Sequence, residues 1–255
     1  MLALTNLSKT FESRHGPAVC ALEPLSLNVP AGRFVSILGP SGCGKSTIFN
    51  MIAGLDVPTT GSISVDGRTI DGMSGVVAYM LQKDLLLPWR SVIDNVVLGM
   101  EIDRIGRKEA YARARPLLER YGLGGFEGHY PSQLSGGMRQ RAALLRTMLC
   151  DREIVLLDEP FAALDAQTRS DMQEWLLDVW DDFKKTVVFV THDVDEAIYL
   201  SDEIVVMSAR PGRILEELPI ELSRPRKRHI ITSTPFIAYK EHILAHLHRP
   251  AMAVA

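Results

Sequence analysis

The chain is poor in cysteine and has no long apolar run, and each shortage closes off a class of protein. Three cysteines in 255 residues (Cys20, Cys43 and Cys150) are too few and too scattered for a disulfide framework or a zinc site, which fits a reducing compartment. No window approaches about 18 uninterrupted apolar residues, so no membrane-spanning helix is expected. The opening "MLALTNLSKTFESRHG" lacks a basic region followed by an apolar core, so no secretory leader is expected. A formal net charge of −3 argues against wholesale nucleic-acid binding. Internal repeats and low-complexity segments are missing too. What is present, 46% hydrophobic and 23% charged residues, is ordinary for a globular protein. The length suits one large domain, or a domain with a subdomain, and the expectation is a soluble cytosolic protein.

Short β-like runs dominate the first third: "ALTNLS", "LSLNVP", "RFVSILG", "SISVDG" and "VVAYML", set apart by Pro, Gly and Asn turn signals. From about residue 84 to 150 the texture becomes helical, with "SVIDNVVLGMEI" and "RKEAYARARPLLERYGL". Then come a buried strand "EIVLLDEP", a helix "QTRSDMQEWLLDVWDDF", a strand "TVVFVTHD", and strand–turn–strand in "EIVVMSARPGRILEELPI". The pattern predicts an α/β core interrupted by a helical insert.

Gly39-x4-Gly44-Lys45-Ser46 matches the P-loop, with strand "FVSIL" before it and helix "STIFNMIAGL" after it. Glycines let backbone N–H groups turn inward around phosphate. Lys45 reaches the outer phosphates and the Ser46 hydroxyl ligates Mg²⁺. Gly39, Pro40, Ser41, Gly42, Cys43, Gly44, Lys45, Ser46 and Thr47 are the expected cradle. Cys43 sits at a helix N-terminus, where a thiolate is favoured; it is given no catalytic role, and a maleimide is expected to inactivate unless MgATP protects. This motif alone leaves kinases, GTPases and motors open. The strand ending in Asp158-Glu159 places Asp158 to hold Mg²⁺ through water and Glu159 to polarise an attacking water. A solvated strand end is the bland alternative.

A second anion site is written into "YPSQLSGGMRQRAALLR". Ser135, Gly136 and Gly137 precede Met138, Ala142, Leu145 and Leu149, an apolar stripe at helical spacing. A serine N-cap followed by exposed N–H groups at the positive helix end is built to receive an anion.

Taken in order, these motifs resemble the ATP-binding cassette ATPases, from about Leu2 to Leu218. "LSGGM" is similar to that family's signature, although the family usually ends it in glutamine where Met138 stands. Gln82 matches the glutamine that touches Mg²⁺ and the attacking water. "AALD" matches the loop that crosses to a partner subunit through Asp165, with Ala162 where serine is common. His192 matches the histidine that contacts the γ-phosphate, and Phe11 the ring that stacks on adenine. Taken singly, Phe11 reads equally as core and His192 as an ordinary histidine. The resemblance implies a P-loop NTPase core with an N-terminal antiparallel β subdomain and a helical signature subdomain. It implies residues 1–220 as the ATPase domain, about 84–150 as the helical part, and 221–255 as a short, helical C-terminal extension. It also implies a head-to-tail homodimer in which each signature helix caps the ATP on the other copy's P-loop.

"LLPWRSVIDNVVLG", "EPFAALDAQTR" and "THDVDEAIYLSDEIVVMSARPGRI" resemble the importer branch serving nitrate, sulfonate, taurine and related solutes. That branch implies integral membrane permease subunits docking near Leu85–Trp89, a solute-binding protein acting indirectly, and a peripheral place on the cytoplasmic face of the inner membrane. Leu85, Leu86, Leu87, Pro88 and Trp89 could otherwise pack the helical part. The basic run Arg224 to Arg228 reads as a solvated charge run, or one near anionic head groups. Phe236, Tyr239, Ile243 and Leu247 recur at near-helical spacing. A soluble cassette in cluster assembly, translation or DNA repair, and a small-molecule kinase, are the rivals.

Overall fold

The computed structural model describes residues 1–13 and 16–247. Residues 248–255 of the expected C-terminal extension lie outside the described residues. In chain order the first elements are β1 (Leu2–Phe11), β2 (Val19–Val29), β3 (Phe34–Leu38), α1 (Lys45–Ile52), β4 (Thr60–Val65), β5 (Arg68–Thr69) and β6 (Ala78–Met80). Then follow α2 (Val92–Val96), α3 (Leu98–Ile102), α4 (Arg107–Arg120), α5 (Gly136–Met148), β7 (Ile154–Asp158) and α6 (Ala166–Phe183). The last are β8 (Thr186–Thr191), α7 (Val194–Leu200), β9 (Glu203–Met207), β10 (Ile214–Pro219) and α8 (Thr234–Leu247).

The chain divides into two compact units, one of Met1–Val77 with Lys185 onward, the other Ala78–Lys184. In the first, β1 lies antiparallel between β2 and β4, with β5 at the far edge of β4. Leu25, Leu27 and Val29 of β2 are buried while Ser26 and Asn28 are exposed, the period-two alternation of a sheet covered on one face. The same unit holds a sheet in which β3 runs parallel between β8 and β9, with β10 antiparallel beyond β9. All five residues of β3 and all six of β8 are buried, as parallel strands covered on both faces require. Leu38 pairs with both Thr191 and Val206, so the segments leaving β3, β8 and β9 emerge at one end of this sheet.

The tail packs back on the first unit through α8, whose Phe236 and Ile243 are buried. The basic run before it is solvated only in part: Lys227 and Arg228 are exposed, but the two arginines ahead of them turn inward. Arg226 is buried, and its guanidinium donates to the carbonyls of Ile198 (2.9 Å), Tyr199 (3.0 Å), Ser201 (2.7 Å), Ile220 (3.4 Å) and Leu222 (3.2 Å). Arg224 adds a bond to Leu200 O at 2.6 Å and an ion pair with Asp202 at 2.8 Å. The carbonyls of residues 198–201 close α7, where no further turn supplies donors and a cation is favoured. Two arginines cap that end.

The second unit holds a parallel pair, β6 and β7, with Met80 opposite Leu157, together with α2 to α6. The stretch expected as one helix, "SVIDNVVLGMEI", is two, α2 and α3, meeting at Val97. β-Branched crowding at Val96 and Val97, followed by Gly99, weakens the helix at that joint.

Candidate nucleotide site

The P-loop leaves β3 and enters α1 as the motif requires. Gly42 and Gly44 have φ of +79° and +102°, conformations that favour glycine. A Cβ on Gly44 would stand 2.5 Å from Leu22 Cδ2, so packing beneath the loop also demands glycine there. Gly44 N-caps α1 without a side-chain cap, which leaves first-turn N–H groups to an external acceptor. Lys45 is buried, and its ammonium donates to Gly39 O at 2.7 Å and Pro40 O at 3.0 Å. Ser41, Gly42 and Ser46 are exposed. Amides, hydroxyls and an ammonium, with no carboxylate among the loop residues, are the donor set of a polyphosphate site, and ATP with Mg²⁺ fits them.

Cys43 corrects the sequence expectation. Its thiol is buried, and that burial raises its pKa above the ordinary thiol range even though Lys45, 3.8 Å away, pulls the other way. The thiol stays protonated and shielded at neutral pH, and the backbone N–H of Cys43 bonds Pro40 O at 3.3 Å.

The turn between β9 and β10 supports the loop from beside it. Gly212 N donates to Ala21 O (2.9 Å), Gly212 O accepts from Glu23 N (3.0 Å), and Arg210 Nε reaches Gly42 O (3.2 Å). A Cβ on Gly212 would lie 2.0 Å from Cys43 O. The glycine of "ARPGRI" is a close-approach residue, a role its wording alone did not reveal. His192 follows β8 at the same sheet end as the loop and is exposed. Phe11 ends β1 as a residue 43% exposed, with Lys9 Nζ 5.0 Å from its ring centroid, so it is no core residue.

In the second unit the register of β6 and β7 brings Gln82, Asp158 and Glu159 to one end of the pair. Asp158 is buried and accepts from Tyr79 OH at 3.3 Å. That contact and burial raise the tyrosine pKa, burial first. Glu159 has φ +43°, a left-handed conformation that costs a non-glycine residue about 1–2 kcal/mol. Its neighbour Pro160 O accepts from the buried Gln140 of α5.

Ser135 N-caps α5, accepting from Met138 N at 3.3 Å. Asp165 caps α6 in the same way, accepting from Thr168 N at 3.0 Å, and that bond lowers its pKa. A cleft of about 440 Å³ is lined by both caps, with Gly136, Gly137, Met138 and Thr168. A Cβ on Gly137 would meet Thr168 Cγ2 at 3.0 Å. The signature turn and Asp165 thus face one space.

The apolar run after Gln82 divides. Leu86 is buried, whereas Leu85 is 51% and Trp89 72% exposed. Buried Asn95 holds the turn's shape: Oδ1 accepts from Leu87 N (2.7 Å), and Nδ2 donates to the carbonyls of Leu87, Arg90 and Ser91 (3.0–3.1 Å). Arg146 of α5 grips Asp84 O (2.5 Å) and Leu85 O (2.8 Å), and Arg139 stands 3.4 Å from the Asp84 carboxylate. Sequence reasoning passed over Asn95, Arg139 and Arg146. Only an Asn inside an apolar helical run hinted at the first.

The sequence pattern of the ABC transporter family matches residues 22–162, more than half of the chain. The chain is 50% identical over 243 residues to an uncharacterized ABC transporter ATP-binding protein of Methanocaldococcus jannaschii, covering 95% of this chain and 90% of that one. It is 43% identical over 253 residues to the taurine import ATP-binding protein TauB of Rhizobium johnstonii, covering 97% of each. With TauB of Pseudomonas aeruginosa it shares 44% over 218 residues, 86% of this chain and 82% of that one. Two solved structures of one bacterial ABC transporter cassette, one dimeric and one a dimeric post-hydrolysis state with ADP and Pi, superimpose with TM-score 0.75 at 32% identity, covering 88% of this chain and all of theirs. With its P-loop, Asp158-Glu159 strand and serine-capped signature helix, the chain belongs to the ABC transporter family as an ATP-binding cassette ATPase.

Proposed function

We propose that the chain is the ATP-hydrolysing subunit of an importer for a small sulfonate of the taurine kind, working as two copies against a separate membrane permease at the cytoplasmic face. The observation that carries the importer reading is the exposed Leu85–Trp89 turn, braced by Asn95 and Arg146 immediately after Gln82. Exposed apolar side chains on a turn held this firmly suit a standing contact with another protein. No helix of the described residues is long and apolar enough to cross a membrane, so the membrane part belongs to other chains in this reading. Relatives named for taurine import support the solute class.

Each residue has a role in that reading. The Gly39–Thr47 amides and Lys45 bind the phosphates, and Phe11 stacks on the base. The Ser46 hydroxyl, the Asp158 carboxylate and the Gln82 amide oxygen are each the kind of ligand that would hold Mg²⁺, which would supply charge neutralisation at the phosphates. Glu159 takes the proton of an attacking water, and His192 orients the γ-phosphate. Ser135, Gly136 and Gly137 cap the γ-phosphate of the second copy's nucleotide, and Asp165 crosses to that copy. ATP favours the closed pair because only that form contacts both ends of the nucleotide.

The test is a tagged pull-down from mildly solubilised membranes. A polytopic membrane protein at one-to-one stoichiometry, lost on Trp89→Ala, is expected. Soluble cluster-assembly partners, ribosomes or DNA in its place would overturn the importer reading.

A further inference from the structure

Helix α8 carries His242 and His246 one turn apart, and both imidazoles face Glu216 on β10. His242 Nε2 lies 2.9 Å from each carboxylate oxygen, and His246 Nε2 lies 3.6 Å from Oε2. The two rings are 4.8 Å apart between centroids, and one donor atom from each of the three residues lies within 4.8 Å of the others.

The tautomer of His246 follows from its neighbour. Its Nδ1 is 3.0 Å from the carbonyl of His242. A carbonyl only accepts, so Nδ1 carries the hydrogen. In the neutral ring Nε2 is then a lone pair 3.6 Å from a carboxylate oxygen, which is also an acceptor. A positive species between two such acceptors, a proton or a metal cation, turns their repulsion into attraction.

Three features favour the metal. A backbone carbonyl fixing one ring nitrogen while the other is presented is how histidine ligands are oriented in metal sites. The spacing i, i+4 puts both rings on one side of the helix. Zn–ligand bonds of about 2.0–2.2 Å in a tetrahedron put donors about 3.3 Å apart; the two imidazole–carboxylate separations, 2.9 Å and 3.6 Å, straddle that value, and the three donors as a set, within 4.8 Å of one another, draw together as an ion binds. Two imidazoles and one carboxylate suit a borderline cation with a fourth position open to water, and they suit the hard cations Mg²⁺ and Ca²⁺ poorly. His242 is exposed, which gives an ion its way in.

We propose that Glu216, His242 and His246 form a binding site for a divalent transition cation of the zinc class, clasping α8 to β10. None of the three belongs to the phosphate loop, the Asp158-Glu159 strand or the signature turn, so the site stands whatever the chain transports.

The experiment uses the full chain without a histidine tag, stripped by chelator and free of nucleotide, titrated with Zn²⁺ against a chromophoric chelator and followed in parallel by thermal melting. One Zn²⁺ per chain is expected, with Tm raised by roughly 5–10 °C at about a hundredfold excess over Kd and no rise with Mg²⁺. His242→Gln, at an exposed position, and His246→Gln should each weaken binding at least about tenfold while leaving the melting of the metal-free chain in place. No zinc binding by the unaltered chain, unchanged affinity in both variants, or equal stabilisation by Mg²⁺ would overturn the proposal. Zinc held by cysteines elsewhere survives both substitutions and so counts against it.

Discussion

Replacing Arg226 with methionine keeps most of the unbranched stem and removes the guanidinium. Five carbonyls lose their donor at once: Ile198, Tyr199 and Ser201 at the end of α7, and Ile220 and Leu222 on the chain leading to Arg226. Hydrogen bonds from a charged donor contribute about 1.5–3 kcal/mol each. These five share one group, and some of the carbonyls will reach water after the change, so a plain sum overshoots. A buried acceptor left without a donor costs about 1–3 kcal/mol, so two or so that stay dry bring the loss to about 3–5 kcal/mol. At about 2–4 °C per kcal/mol for a chain of this size, Tm should fall by roughly 6–20 °C. Arg226→Lys keeps the charge but loses the planar fork, and should fall between. Burial, with Arg224 next, pushes the Arg226 pKa down to about 10, so the guanidinium is charged at neutral pH. A base whose folded pKa is depressed gains stability only as pH rises through that value. The Tm deficit should therefore be flat from pH 7 to about 9. Scanning fluorimetry of the three chains tests this. A loss under about 2 °C for the methionine variant would mean that the arginine caps nothing the solvent cannot cap as well.

Glu159→Gln should cut ATP turnover by about 10²–10⁴, the usual worth of a positioned general base, with nucleotide still bound in filter assays; turnover within tenfold of the unaltered chain would move the base elsewhere. Ser135→Arg should bind ATP yet fail to pair on size exclusion, and a variant that still hydrolysed normally would refute the two-copy site. Gly212→Ala should weaken ATP binding at least about tenfold, because the obstacle at 2.0 Å is the backbone of Cys43 and the phosphate loop itself must move. Fluorescent-nucleotide titration reads that directly. Aromatic disulfide reagents should modify exposed Cys20 promptly and buried Cys43 slowly at pH 7, the Cys43 rate climbing as pH rises above about 9; equal rates at pH 7 would contradict the burial argument.

Much of this site was legible because its signals are local. Gly42 and Gly44 need positive φ within one loop, Ser135 and Asp165 cap the helices they precede, and the apolar "IVLL" before Asp158 announces a covered parallel strand. What was misread depends on partners far along the chain. Arg226 sits in a run of charges that reads as solvated until α7 supplies the carbonyls, 25 to 28 residues upstream. Cys43 follows a helix-end rule that favours thiolate, but burial outweighs it. Gly212 is about the approach of two loops, and Glu216 meets His242 and His246 only because α8 folds back on β9 and β10. Local rules say nothing of which distant segment arrives.

The two arginines that hold the Asp84–Leu85 segment stand at opposite ends of α5, Arg139 in its first turns and Arg146 in its last, a span of about 10 Å at 1.5 Å per residue. Asp84–Leu85 is thereby tied to the helix at two levels, so the exposed Trp89 turn and Ser135, at the helix's leading end, are joined through α5 and not through loop backbone alone. Softening the arrangement at Asp84 would leave both contact surfaces intact and disconnect them.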